Sequence, residues 1–180
     1  MHWEKAIRLF LTDLRTTEMM QNRKGLTIFE LLVVIAILTI ASGFVVPNVI
    51  NWRSEMKLRG TANNLKSDLE LAKARAIREN YYVVIRFYHN RYEVFVDNGA
   101  GGGDDRNWIR DGSEPLLRNR ALPAGVRIDL ANTSFGNLGA KTRFTGRAHC
   151  IPGATVVKNS KAAALRVTVN RLGGISLKKE

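Results

Sequence analysis

The hydrophobic and polar positions divide the chain into three segments with different periodicity. The first, residues 31–50, reads LLVVIAILTIASGFVVPNVI and contains no charged residue. Twenty helical residues span about 30 Å, which is the thickness of the hydrocarbon core of a bilayer. Arg23 and Lys24 precede this stretch, and the positive-inside rule then places the N-terminus in the cytoplasm. We therefore expect residues 26–50 to form a transmembrane helix.

Helical periodicity continues past residue 50, where the sequence becomes polar. Apolar residues recur at steps of three and four, namely Leu58, Ala62, Leu65, Leu69, Ala72 and Ala76. Charged residues occupy the other positions, which is typical of a helix that packs along one face only. Asn80 is a suitable residue to end such a helix. The pattern predicts one helix over residues 26–80, with residues 51–80 as its amphipathic continuation.

From Tyr81 onward the pattern indicates short strands. Residues 82–87 and 92–96 are rich in β-branched and aromatic residues and flank a turn that contains Asn90, which predicts a β-hairpin. Glycines and prolines separate the further predicted strands, which are 126–130, 142–145, 155–158, 164–169 and 175–177. A long helix followed by antiparallel strands indicates an α+β fold, with residues 81–180 as its β-rich domain.

Composition and charge indicate a folded, basic protein without an internal disulfide. The 180 residues are 45% hydrophobic and 24% charged, as expected of a folded chain, and a single Cys excludes an internal disulfide. The net charge of +12 is concentrated in residues 141–180, which hold nine basic residues and one acidic residue. Such an excess suggests an anionic partner, with DNA or an anionic membrane as candidates, and a solvated surface is the plain alternative. The nine basic residues are Lys141, Arg143, Arg147, Lys158, Lys161, Arg166, Arg171, Lys178 and Lys179.

One acidic residue interrupts the apolar segment. Glu30 lies just inside the start of the predicted transmembrane helix. A carboxylate in this position costs a few kcal/mol unless a cation pairs with it, and is by default a functional residue. The apolar segment contains no cation, so the partner of Glu30 must come from outside the helix.

The residues around Glu30 match a known processing signal. The stretch from Arg23 to Leu32, RKGLTIFELL, resembles the signal of type IV pilins and type II secretion pseudopilins. The resemblance implies that a prepilin peptidase cuts after Gly25 and that the new N-terminal residue, Leu26, is methylated. It also implies that Glu30 neutralises the N-terminal amine of a neighbouring subunit during filament assembly. In the same family a proline at the position of Pro47 often kinks the helix.

The leader implied by this resemblance covers residues 1–25, which is long for the family. Met19 and Met20 offer internal starts that would leave the usual short basic leader. Residues 1–18 are therefore interpreted as an over-extended start or a nonstandard leader.

The C-terminal part resembles the GspH/FimT branch of the same family. The resemblance rests on the order of several loose motifs. They are Leu69 to Ala76 leading into the strand Tyr82 to Phe87, Val94 to Asp97, Asp111 to Leu117, Leu122 to Val126, Phe144-Thr145, and Val167 to Leu177. It implies a minor pilin or pseudopilin at or near a filament tip, with other pilins, the prepilin peptidase and the inner membrane as partners. The β-rich domain would then be periplasmic, with a role in filament initiation or protein secretion. The alternative is a DNA-binding minor pilin of a DNA-uptake filament, and the type of machine stays open.

The glycine-rich stretch after residue 96 raises the question of a metal site. Acidic residues that could supply oxygen ligands to calcium are Asp97, Asp104, Asp105, Asp111 and Glu114. Their spacing is not that of an EF-hand, which favours a mobile surface loop. His149 and Cys150 are too few for a zinc site, and no set of residues indicates a catalytic centre. We expect neither a cofactor nor enzyme activity.

Overall fold

The computed structural model describes Gly25 and residues 27–180, except for the side chains of residues 44–48. The chain divides into two compact units, with the boundary between Val46 and Pro47, and each is treated separately below. The predicted leader before Gly25, together with Leu26, lies outside the described residues. The proposal of a mis-assigned start therefore remains a prediction.

Within the described residues, one helix, α1, spans Ile28–Glu79. Asn80 ends it in the left-handed conformation, with φ at 55°, a C-terminal position that asparagine tolerates. The predicted apolar stripe is confirmed, because all six of its residues, from Leu58 to Ala76, are buried. This stripe packs on antiparallel sheets, so the predicted α+β class is confirmed as well.

In the part of the chain that the structure describes, eight antiparallel strands form two four-stranded sheets. The strands are β1 Tyr82–Phe87, β2 Arg91–Asp97, β3 Leu116–Ala121, β4 Val126–Phe135, β5 Lys141–Phe144, β6 Gly153–Asn159, β7 Ala164–Val169 and β8 Ile175–Lys179. Sheet A has the order β3-β2-β1-β5, and sheet B has the order β4-β6-β7-β8. All pairs are antiparallel, and β1 and β2 form the predicted hairpin.

Two strands depart from the sequence predictions. Strand β3 was not predicted, because LLRNRA has no alternation of polar and apolar residues and lies at a sheet edge. Strand β4 extends to Phe135 rather than ending at residue 130, after a register shift between Asp129 and Ser134. The residues of this shift are mostly polar and exposed, so the apolar pattern stops where the strand continues.

The core lies between α1 and the inner faces of both sheets. Residues of β1, β2, β4, β6 and β7 pack with the helical stripe in one cluster. Phe87 of β1 and Phe135 of β4 stack with ring centroids 5.4 Å apart, which joins the two sheets.

The outer face of sheet A is also partly buried. Val84 and Phe95 are cross-strand partners that point away from the residues packed on α1, yet neither is exposed. The segment of residues 98–115, between β2 and β3, returns to this face. There the backbone N–H of Trp108 donates to Asp97, and the Trp108 ring lies over Arg143.

Candidate assembly and binding sites

The start of α1 carries the predicted assembly residue. Thr27 precedes the helix, and its hydroxyl oxygen accepts the backbone N–H of Glu30 at 3.2 Å. This is an N-cap, since it satisfies one of the free amides of the first turn. The Glu30 side chain is exposed, and its charge suits the positive end of the helix dipole. The helix start is thus fixed through the backbone of Glu30, and its carboxylate makes none of the hydrogen bonds or ion pairs found among the described residues.

The first part of α1 exposes apolar side chains. Those of residues 28–43 are all exposed, with Ile28 and Phe29 at 81% and 76%. Monomeric soluble proteins rarely expose contiguous apolar surface on this scale, so a partner or a lipid phase must cover it.

No helix in the described part of the chain is long and apolar enough to cross a membrane.

Pro47 lies within the bounds of α1, but its side chain is outside the description. The predicted kink at this residue therefore stays a prediction.

Among the acidic residues between positions 97 and 114, Glu114 makes the most hydrogen bonds to backbone amides. Glu114 is 1% exposed, and its carboxylate accepts the N–H groups of Asn98 and Gly99 at 2.8 and 2.9 Å and that of Asp111 at 3.3 Å. Three such bonds satisfy a carboxylate that would otherwise be costly to bury. Glu114 therefore organises the loop that leads into β3.

The other four residues suggested as calcium ligands make different contacts from one another. Asp97 accepts the amide of Trp108, Asp111 accepts the side-chain amide of Asn107 at 2.6 Å, and Asp105 pairs with Arg106. The fifth, Asp104, is exposed. Among the described residues, no three metal-binding side chains come together as a ligand group.

The nine predicted basic residues lie in two separate places. Lys141 and Arg143 are on β5 of sheet A, and Arg147 lies in the turn that follows this strand. The other six are on sheet B or in its turns: Lys158, Lys161, Arg166, Arg171, Lys178 and Lys179. The structure therefore does not form one basic patch from the last forty residues.

A set of arginines and aromatic rings covers the outer face of sheet A. All six cation–π contacts among the described residues lie here. Arg143 lies between the rings of Tyr82 and Trp108, 4.4 and 4.1 Å from their centroids. We call this set the arginine–aromatic face; it comprises Tyr82, Arg86, Tyr88, Arg91, Arg106, Trp108, Lys141 and Arg143.

The sequence does not predict this face, because its aromatic rings lie far along the chain from Lys141 and Arg143. The aromatic rings come from residues 82–108, which sheet pairing brings to β5. The pairing of β1 with β5 creates the face: Arg86 pairs with Lys141, and Val84 with Arg143. A cleft of about 620 Å³ adjoins the face, lined among others by Tyr81, Arg147 and His149.

The outer face of sheet B carries lysines without aromatic rings. Cross-strand register places Arg127, Lys158, Arg166 and Lys178 on this side, and we call these four residues the lysine face. Lys158 pairs with Asp129 at 2.5 Å, and Arg166 pairs with Glu180. The hydrogen bond from Lys158 lowers the pKa of Asp129 to about 2.

Cys150 is a core residue. Its thiol is buried and donates to the backbone oxygen of Asn170 at 2.8 Å. Burial raises the pKa of the thiol, which keeps it protonated and unreactive at neutral pH. The neighbouring His149 is exposed in the turn after β5.

A long N-terminal helix packed on antiparallel sheets, behind a prepilin-type signal, defines the chain as a pilin-like protein. Family models agree with this class: the model for type II transport protein GspH matches residues 61–173, and the prokaryotic N-terminal methylation motif matches residues 20–46. The chain therefore belongs to the GspH family, a family of structural subunits.

Solved structures give the same fold. Two structures of the minor pseudopilin EpsH from the type II secretion system of Vibrio cholerae match with TM-scores of 0.53 and 0.52, both at 15% identity. The first match covers 68% of this chain and 97% of EpsH, and the second covers 67% and 92%. No curated protein sequence matches the chain significantly.

Proposed function

We propose that this chain is a minor pseudopilin that joins the filament of a type II secretion system or a related type IV pilus, at or near its tip. The observation that carries the proposal is the methylation motif at residues 20–46, followed by a helix whose described side chains from 28 to 43 are all exposed. A helix of this kind is stable only in a membrane or against other apolar helices, which are the two environments of a pseudopilin. Its role there is in filament initiation or protein secretion.

The N-terminal segment would act in three steps. Residues 26–50 would insert into the inner membrane as a single span, with the β-rich domain in the periplasm. Prepilin peptidase would cut after Gly25, and Leu26 would be methylated. The new amine of a neighbouring subunit would then pair with Glu30, because opposite charges attract strongly in a low dielectric.

The exposed carboxylate of Glu30 supports this last step. The cap of α1 uses the backbone N–H of Glu30 and the hydroxyl of Thr27, so the carboxylate is not needed to start the helix. Replacement of Glu30 by glutamine keeps the backbone bond and the side-chain size and removes only the charge. The Glu30→Gln variant therefore separates assembly from helix formation.

The test follows the chain in cells that assemble the filament. We expect Glu30→Gln to stay in the membrane fraction, to lose its leader, and to be absent from sheared filaments. Glu30→Asp keeps the charge and is the matched control, with partial incorporation expected. A Gly25→Ala variant should retain the leader, seen as a larger mass. Normal incorporation of Glu30→Gln would refute the role of its charge.

DNA binding is a second candidate, and the lysine face is the observation that favours it. Lysines without aromatic neighbours suit contacts with phosphates that do not depend on sequence. Duplex DNA should then be retarded by the full chain in detergent, with affinity falling steeply as salt rises. Lys178→Glu should weaken this retardation and Arg86→Glu, on the other sheet, should not. The absence of a shift in low salt would exclude this candidate.

A further inference from the structure

We propose that the arginine–aromatic face of sheet A is a docking surface for a second protein, one whose contact surface carries carboxylates. This partner site is separate from the helix and from Glu30, so it does not depend on the proposed assembly mechanism.

The residue types on the two outer faces differ although both are basic. The arginine–aromatic face holds four arginines and three aromatic rings but one lysine, Lys141. The lysine face has two lysines, two arginines and no aromatic ring. Protein interfaces are enriched in tyrosine, tryptophan and arginine and depleted in lysine, because rigid planar groups bury large areas at low entropic cost. The composition of the sheet A face is therefore that of a protein–protein interface, and the composition of the lysine face is not.

The charges of this face are only partly neutralised within the chain. Arg91 pairs with Glu93, and Arg106 pairs with Asp105. Within the part of the chain that the structure describes, Arg86, Lys141 and Arg143 form no salt bridge with an acidic residue. They lie on neighbouring strands, since Arg86 and Lys141 are cross-strand partners and Arg143 lies two residues further along β5. Arg86 lies opposite Glu93 of β2, which also pairs with Arg91, whereas the cross-strand partners of Lys141 and Arg143 are Arg86 and Val84. This cluster therefore keeps a positive excess, which favours an anionic partner.

The cations of this face are held in place before any partner arrives. Rings at 4.1 and 4.4 Å restrain the guanidinium of Arg143, and the Tyr88 ring at 4.2 Å restrains that of Arg91. Trp108 adopts a positive φ of 68°, an unfavourable backbone conformation that its hydrogen bond to Asp97 fixes. Side chains fixed in advance lose little freedom on binding, which raises affinity for a partner of matching shape.

The charges of this face favour an acidic protein as the partner over two alternatives, a nucleic acid and a second copy of this chain. The acidic residues Glu93 and Asp105 alternate with the cations, which would repel a continuous phosphate backbone but can meet the mixed charges of a protein surface. A second copy of this chain carries the same net charge of +12 and is a poor electrostatic match. The partner is therefore a different protein, with carboxylates spaced to meet Arg86, Lys141 and Arg143.

Photo-crosslinking of the full chain in producing cells tests the proposal. The photoreactive amino acid p-benzoyl-phenylalanine replaces Tyr88 on the proposed face and, as a control, Ser176 on the outer side of sheet B. The expected result is a protein adduct at position 88 and none at 176, with the crosslinked peptide of the partner mapped by mass spectrometry to a segment rich in Asp or Glu. Arg86→Glu should reduce the adduct at least fivefold, and Lys178→Glu should leave it unchanged.

A reciprocal exchange of charge completes the test. Replacement of a mapped carboxylate of the partner by lysine should restore the adduct in the Arg86→Glu background, which an unspecific encounter would not do. The proposal is overturned if position 88 gives no adduct, if its adduct is nucleic acid, if position 176 reacts equally, or if charge reversal at Arg86 has no effect. Failure of the Glu30 experiment would leave these outcomes unchanged.

Discussion

The carboxylate of Asp68 on α1 accepts a 2.6 Å hydrogen bond from the phenol of Tyr92 on β2, and both residues are buried. Arg120 of β3 donates to the same carboxylate oxygen at 2.9 Å, and Arg118 pairs with the other oxygen at 3.4 Å. Burial and the hydrogen bond to Asp68 raise the pKa of Tyr92, so its phenol stays a donor at all physiological pH values. One carboxylate thus joins the helix to two strands of sheet A.

Replacement of Asp68 should therefore destabilise the packing of the helix on sheet A. We expect Asp68→Ala to lower the free energy of unfolding by about 2 kcal/mol, mainly because it leaves the buried phenol without its acceptor, since the two half-exposed arginines are screened by water. Tyr92→Phe, which removes one hydrogen bond to a charged group, should cost about 1.5 kcal/mol. Urea unfolding of the full chain in detergent measures both values. Equal losses in the two variants would mean that the arginines contribute nothing.

Two glycines should respond in opposite directions to the same substitution. A Cβ at Gly153 would lie 2.2 Å from the backbone oxygen of Ser134 and 2.6 Å from the Cα of Phe135, so Gly153→Ala must displace β4. We expect a loss of roughly 2 kcal/mol in unfolding free energy, a typical cost of overpacking. Gly60 lies within α1 with open space around its Cβ position, and Gly60→Ala should stabilise the chain by up to about 1 kcal/mol. A stable Gly153→Ala variant would contradict the close approach of the two strands.

The pair of Lys158 and Asp129 should contribute stability that depends on pH. Because the folded-state pKa of Asp129 is lowered from 3.8 to about 2, the contribution is present above pH 4 and is lost as the pH falls towards 2. The melting temperature of Asp129→Asn should then lie below that of the unchanged chain at pH 6, and the two should converge near pH 2. A difference that persists at pH 2 would show that the substitution acts through something other than this charge.

Glu114 should protect the segment of residues 98–115 from local unfolding. Glu114→Gln removes the charge that three backbone amides share, and we expect proteolysis between residues 98 and 113 to accelerate roughly tenfold. The exposed Asp104 lies in the same segment, and Asp104→Asn should leave the rate unchanged. Limited proteolysis followed by mass spectrometry of the fragments provides the comparison. Equal acceleration in both variants would indicate a general effect of negative charge.

Much of the fold could be predicted because its pattern is local. The stripe from Leu58 to Ala76 shows helical spacing within the sequence itself, and the hairpin of β1 and β2 joins neighbouring segments through a short turn. Strand β3 gave no such signal, because its arginines point to Asp68, a residue about fifty positions earlier. A strand whose polar residues are explained by a distant partner cannot be found from periodicity.

The binding surfaces were less predictable, because they also depend on contacts between residues that are far apart in the sequence. The concentration of basic residues after 140 was visible, but its division between two sheets depends on strand order. The position of Trp108 over Arg143 joins residues 35 positions apart through an irregular loop. The acidic residues of that loop suggested metal ligands, since a sequence does not distinguish a carboxylate that binds calcium from one that accepts backbone amides.

Several of the basic residues lie on the edge strands of the two sheets. Both end strands of sheet A carry two basic residues, Arg118 and Arg120 on β3 and Lys141 and Arg143 on β5, and β8 at one end of sheet B carries Lys178 and Lys179. An edge strand with unpaired backbone groups can recruit another chain, and charged side chains discourage this. The basic edges should therefore keep copies of the protein from aggregating strand to strand, so that association is left to surfaces built for it.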